Sequence, residues 1–276
     1  MDKEKETVEG VMLILSCQKH KNTRLKEFSL PKAEYCNWKV LYVLGDLFID
    51  APYKLDGNML TVKCEDSYIH LLKKLVLAIK YAYELFHIKQ GIIRSGDDMI
   101  FNIPKLEEFL CMSEKPGFLG WSPSEKSMIR YDKNMLKKRV VDYFMVEYYT
   151  SHMDDFNNPL HNLQGVNIYD YVTRPEIPIG VAGSLFYLSV NCCQILVNHM
   201  ENIGYNIFHY DEYSKSYPYT IEDCAVSYIL YFNKVPFVND IDFITDYNVN
   251  DALPDVNIFN HPLLENKVAV ATNKYK

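Results

Sequence analysis

The chain has 276 residues, 48% hydrophobic and 24% charged, with a formal net charge of −7. That length suits one large α/β domain or two small ones, and the balance is ordinary for a soluble globular protein. The acidic sign argues against binding nucleic acid across a broad basic face, so an anionic ligand needs local neutralisation by a cation or by backbone donors.

The N-terminal stretch "MDKEKETVEG" is a charged, polar leader over residues 1–10. No signal peptide is visible, and no apolar run approaches the ~20 residues of a membrane helix. Val11 to Ser16, "VMLILS", is a nearly uninterrupted apolar run, the pattern of a strand buried on both faces. A polar loop, "CQKHKNTR", follows, and then a second buried strand, "WKVLYVLG", Trp38 to Gly45. The clearest helix is "EDSYIHLLKKLVLAIKYAYELFHI". There Tyr68, Leu72, Leu75, Ile79, Ala82 and Phe86 recur at alternating spacings of four and three and form one apolar stripe. Asp66 or Ser67 would cap its start.

Gly91 to Arg94 predicts a third short strand, and Asp97 and Asp98 follow at once. Asn102 then caps a helix, "NIPKLEEFLCM", with Pro104 in its first turn. This order predicts a parallel α/β sheet, in which ligands bind beyond the carboxyl ends of the strands. The middle, Ser113 to Pro178, is less regular, and "SHMDDFNN" within it is expected to be a solvated loop. "GVAGSLFYLSVNCCQILVNHM" opens in a glycine-containing turn and becomes a helix. "YPYTIEDCAVSYILYF" places a turn at Pro218 and the acids Glu222 and Asp223 at the head of another helix. "DVNIFNHPLLENK" is strand-like and carries His261 and Pro262. No repeat or low-complexity linker divides the chain, which is expected to be a single domain.

Adjacent acids ahead of a helix can cap it or meet the positive end of its dipole. At a strand end they also offer the hard oxygen ligands that suit Mg²⁺ or Mn²⁺ holding a diphosphate. Glu222–Asp223 carries the same two readings, helix capping or a general base aimed into the crevice, and only one of the two could point inward. His261 alone is an ordinary packed or surface histidine. The 22 tyrosines suit grooves for polar rings such as sugars, and equally a compositional bias shared with Asn, Lys and Ile. The seven cysteines are an odd number without a metal-type CxxC pair, the pattern of buried free thiols in a reducing compartment. A cytosolic location is therefore expected.

The order of these motifs resembles the β-1,3-glycosyltransferase superfamily that includes fringe and the core-1 and β-1,3-galactosyltransferases. Its D-x-Y-x-N-L-T-x-K helix is matched by Asp66, Tyr68, Leu71 and Lys74, with His70 and Leu72 in place of Asn and Thr. Its Asp-rich stretch ending in Asn is matched by Asp97, Asp98 and Asn102. "ILSCQKHKNTR" and "WKVLYVLGD" resemble the first two strands, "GVAGSLFYLS" the glycine-rich segment, "IEDCAVSYIL" the Glu-Asp-Val segment, and His261 the late metal-binding histidine. The resemblance spans about residues 11 to 262.

It implies an α/β, GT-A fold with a Rossmann-like, mostly parallel central sheet flanked by helices. Residues 11–112 would bind the nucleotide-sugar and 113–276 would bind acceptor and carry catalysis. It further implies an inverting transferase that moves a sugar from a UDP-sugar to a hydroxyl of a glycan or glycoprotein, through a β-1,3 link, with Mn²⁺ or Mg²⁺. Asp98 and His261 would hold the metal. Ser16, Arg24, Lys74, Asp97 and Gly183 would contact or support the donor, and Asp223 would be the base with Glu222 beside it. Gly96 departs from the pattern, standing where the first Asp of three is usual. Cys224 replaces the usual Val, and the anchor and cystine framework usual in the family are not evident. A metal-dependent nucleotidyltransferase, or a silent nucleotide-sugar-binding relative, are the alternatives.

Overall fold

The computed structural model describes residues 5–28, 30–122, 139–141, 143–177, 180–240, 244–245 and 267–271. In chain order, β1 (Glu6–Leu15), β2 (Glu34–Tyr35), β3 (Trp38–Gly45), β4 (Tyr53–Asp56) and β5 (Met59–Val62) precede helix α1 (Leu71–Leu85). Then come β6 (Phe86–Gly96), β7 (Met99–Phe101), α2 (Ile103–Leu110), β8 (Phe118–Gly120) and β9 (Arg139–Val141). The helices α3 (Tyr143–Ser151) and α4 (Met153–Asn157) lead to β10 (Thr173–Pro175), β11 (Leu185–Ser189), α5 (Val190–Asn202) and α6 (Glu222–Phe232). The last described strands are β12 (Phe237–Asn239), β13 (Ile244–Thr245) and β14 (Ala269–Ala271).

The central sheet runs β12-β8-β11-β6-β1-β3-β5-β4, with β2 paired on β3. Strands β5, β3, β1 and β6 are mutually parallel, and β12 is parallel to β8. Only β11, set between β6 and β8, and the margins β4 and β2 run antiparallel to their neighbours. This is the mostly parallel, helix-flanked α/β sheet expected of a GT-A type domain. Side chains alternate along β1. Val11, Leu13 and Leu15 join the core under α1, α5 and α6, while Met12 and Ile14 join the opposite core under α2. An uninterrupted apolar run is what two covered faces demand, and each such side chain contributes roughly 1.5–3 kcal/mol by burial. From β1 the chain first steps one way, to β3 and β5, and then returns to place β6 on the other side. The carboxyl ends of β1 and β6 therefore meet at a topological switch point, with Leu15 level with Gly96.

Several boundaries differ from the sequence expectation. β1 starts inside the supposed leader because Glu6, Thr7 and Val8 pair with Phe86, His87 and Ile88, so β6 is also longer than Gly91 to Arg94. The preceding helix accordingly stops at Leu85. It also starts late, at Leu71, because Asp66 does not cap it. The Asp66 carboxylate accepts instead from the backbone N–H groups of Gln18 and Gly45. The Ser67 hydroxyl accepts from the backbone N–H of His70, closing a turn ahead of the helix. Tyr68 thus leaves the expected apolar stripe and stands 53% exposed. "SHMDDFNN" is mostly helix α4 rather than a loop, since Phe156 is buried against Tyr149. The cap at Asn102 is as expected, its side chain accepting from the Lys105 N–H. β7, between the acids and that cap, pairs with β14 in a small separate sheet. No described helix is long and apolar enough to cross a membrane.

Candidate active site

Beyond the joined ends of β1 and β6 lies a cavity of about 470 Å³. Its walls include Ser16, Arg24, Lys74, Asp97, Asp98, Gly183 and Asp223, residues dispersed through the chain and each expected at a site. Glu222 is not among them. His261 lies outside the described residues. A second cavity of about 400 Å³ adjoins the first and shares Cys17, Lys19, Asp66 and Asp155 with it.

Asp97 is held on both oxygens: Oδ2 accepts from the Ser16 hydroxyl at 2.6 Å and Oδ1 pairs with Arg24 Nη1 at 3.0 Å. Asp98 takes no hydrogen bond from another described residue. Burial, and then the charge of Asp97, push its carboxyl upward, against the pull of Arg24 and Arg94. A nearby cation would relieve that penalty. The departure at Gly96 has a spatial reason. A Cβ built there would sit 2.6 Å from Asp98 Oδ1, so the carboxylate occupies the space a side chain at position 96 would need.

Lys74 is buried, 1% exposed, which makes it an internal staple rather than a free donor contact. Its ammonium donates to the Ser16 carbonyl at 2.8 Å and to Asp66 Oδ1 at 2.6 Å. Because Asp66 also accepts from Gln18 and Gly45, this one pair ties the loops after β1 and β3 to α1.

The acids at the head of α6 divide their roles. Glu222 turns inward and meets Arg94 in a two-point ion pair, Nε to Oε1 at 2.9 Å and Nη2 to Oε2 at 3.0 Å. Burial raises the Glu222 carboxyl, and the Arg94 charge and hydrogen bonds oppose that rise. Arg94 Nη1 also donates to the Ser184 carbonyl, so the guanidinium joins β6, the turn before β11 and the start of α6. Asp223 faces the cavity. Its Oδ2 accepts from Gly183 N–H at 3.0 Å and its Oδ1 from Cys224 N–H at 2.7 Å. Each oxygen keeps acceptor capacity for another proton. The approach is tight: a Cβ at 183 would meet Asp223 Oδ2 at 3.0 Å, so a larger residue there would push the carboxylate aside.

The opposite wall contains residues that the sequence reading did not identify as site residues. Tyr68 stacks on His152 with ring centroids 4.4 Å apart and planes 14° from parallel. Its backbone N–H donates to Asp155 Oδ2, and Asp155 Oδ1 pairs with His161 Nδ1 at 3.0 Å. The Tyr68 phenol, pushed upward by the walls of the cleft and then by the Asp223 charge from an ordinary value already near 10, is a neutral donor at physiological pH. Arg94 and Ser184 were likewise missed as lining residues, although a lone arginine in the apolar strand "GIIRSG" is a usable signal for a buried partner.

An Mg²⁺-type site asks for one or two carboxylates plus the phosphates of a substrate. Asp98 fits that demand, while Asp97 is already committed to Ser16 and Arg24. Among the described residues no group of three or more His, Cys, Asp or Glu side chains forms a metal cluster.

No protein-family model matches the sequence, and no curated protein matches it. Among solved structures the chain is similar to mouse xyloside xylosyltransferase 1 in its apo form, at 9% identity and a TM-score of 0.39. The match covers 97% of this chain and 98% of that one.

Proposed function

We propose that this chain is an inverting glycosyltransferase that moves a sugar from a nucleotide-sugar, a UDP-sugar on the resemblance noted above, to a hydroxyl of a glycan or glycoprotein acceptor. The observation that carries the reading is the convergence of Ser16, Arg24, Asp97, Asp98, Gly183 and Asp223 on one cavity at the switch point of a parallel sheet.

In this reading Asp223 is the general base. Two backbone N–H groups fix its carboxylate and leave lone pairs for the proton of the acceptor hydroxyl, which attacks the sugar from the face opposite the departing nucleoside diphosphate. A positioned base of this kind contributes ~10²–10⁴-fold. Glu222 acts through Arg94 and sets the position of α6, and so of Asp223. Arg24 and Lys19 bring positive charge to the donor side, where Asp98 would hold a divalent cation, Mn²⁺ or Mg²⁺. That cation supplies Lewis-acid stabilisation of the leaving diphosphate. The neutral Tyr68 phenol and its stack with His152 offer a flat aromatic face and a donor to the acceptor sugar. The β-1,3 linkage belongs to the same proposal and rests on the motif order alone.

The test is product analysis after incubation with a panel of UDP-sugars and Mn²⁺ or Mg²⁺. Release of nucleoside diphosphate supports transfer, and release of pyrophosphate would make the chain a nucleotidyltransferase. Asp223→Asn should lower transfer at least 100-fold with nucleotide affinity kept; unchanged turnover removes Asp223 as the base.

A further inference from the structure

We propose that Cys36 and Cys111 form a redox modification site, a dithiol that closes to a disulfide and fastens the β2–β3 turn to the end of α2. The two Sγ atoms stand 2.7 Å apart, although the residues are 75 positions apart in sequence. A disulfide bond is about 2.05 Å long, so the two sulfurs already stand within about an ångström of bonding distance.

The local conformation is specific to this contact. Cys36 and Asn37 form the two-residue turn between β2 and β3, both left-handed with φ of 47° and 59°. Such turns favour Asn, Asp and Gly, and a cysteine is out of place there on conformational grounds alone. At this position its sulfur reaches the last turn of α2, touching the Glu107 carbonyl as well as Cys111.

The two sulfurs are unequal. Cys111 is exposed and Cys36 half-buried. Lys115 is fixed on the carbonyls of Leu110 and Met112, and its ammonium is within electrostatic reach of both thiols. Cys111, the exposed sulfur, is the one an oxidant reaches first. As a thiolate it attacks one sulfur of a small-molecule disulfide such as glutathione disulfide and expels one glutathione thiolate. Cys36, its thiol pushed up to about 11 by burial and by Cys111, then attacks the Cys111 sulfur and expels the second. Two protein thiols are oxidised, one glutathione disulfide is reduced, and the two protons pass to the departing thiolates. The neighbouring pair Cys192 and Cys193 is buried in the core, away from such an oxidant. All seven cysteines are free thiols as expected, but only Cys64, Cys192 and Cys193 are buried, which corrects the expectation of burial for the rest.

The proposal is independent of the transferase reading. Full-length protein is equilibrated in glutathione buffers of graded potential, alkylated, and examined by intact mass and peptide mapping. Two of the seven thiols should become protected, in a cross-linked peptide pair containing Cys36 and Cys111. The oxidised protein should melt on the order of 5–10 °C above the reduced one, since the bond closes a long loop. Cys36→Ser and Cys111→Ser should each abolish both effects. All seven thiols remaining alkylatable in the most oxidising buffer, or a cross-link mapping to other cysteines, would overturn the assignment. The mapping is done on the unsubstituted protein, so it decides the matter even where a variant folds poorly.

Discussion

His70 provides a pH-dependent test of how the cleft is built. It sits just ahead of α1, 6% exposed, with Nδ1 2.7 Å from the Ser67 hydroxyl. Burial pulls its imidazole down from 6.5 to about 4, with Lys73, His161 and Lys74 adding to that and Glu65 opposing it. The unfolded chain takes up a proton at about 6.5 and the native one resists until about 4. Lowering the pH therefore loads the unfolded state first, and stability is lost across that interval. At roughly 1.4 kcal/mol per pKa unit the loss approaches about 3 kcal/mol. Glu65 titrates lower. Burial pushes it up, but hydrogen bonds from Lys73 and Asn162 outweigh that and hold it at about 2, so its contribution is lost below about 4.5. The perturbation is His70→Asn, which keeps a hydrogen-bonding side chain and removes the titration. Denaturant melts of both proteins from pH 7 to pH 4 should show the wild type losing about 3 kcal/mol more than the variant. His20 and His199 are present in both and cancel. Parallel stability curves would refute the reasoning, as they would mean that His70 protonates equally in the folded and unfolded chain.

Three further substitutions test the frame around the cavity. Lys74→Met keeps the buried stem and removes the charge facing Asp66; with Gln18 and Gly45 still donating, the loss should be about 2–4 kcal/mol in urea melts, partly recovered by adding Asp66→Asn. Arg94→Lys keeps the charge but loses the planar fork, leaving Glu222 half-satisfied, and should lower stability by about 1–3 kcal/mol in the same melts. Gly183→Ala should leave the melting temperature within about 2 °C of wild type while reducing transfer, because the added methyl displaces the Asp223 carboxylate; full activity would show that the Gly183 N–H contact is dispensable.

Local chemistry explains which parts of this architecture were legible in the sequence. β1 and β3 announce themselves as continuous apolar runs, the Asn102 cap lies two residues before Pro104, and the acids heading α6 follow a turn, so each signal sits within a few residues of its effect. The start of α1 was misplaced because Asp66, a good cap in isolation, is recruited by backbone N–H groups on two other loops. The pairing of Arg94 with Glu222 spans 128 positions, and that of Tyr68 with Asp155 spans 87. No periodicity carries such information; only the folding-back of the sheet brings these groups together. The acid-rich segment before Asn158 looked solvated for the same reason, since its helix exists to bury Phe156 and to close the cleft with Asp155.

The perch of Asp98 above Gly96 limits how this protein can be re-engineered. Position 96 and the carboxylate two residues later compete for one volume, so they behave as rival tenants. A side chain installed at 96 would force the Asp98 carboxylate to turn aside, so a new acid there comes with a changed geometry of the existing one. A designer who wants a richer anionic pocket here must first give the Asp98 side chain another rotamer to occupy.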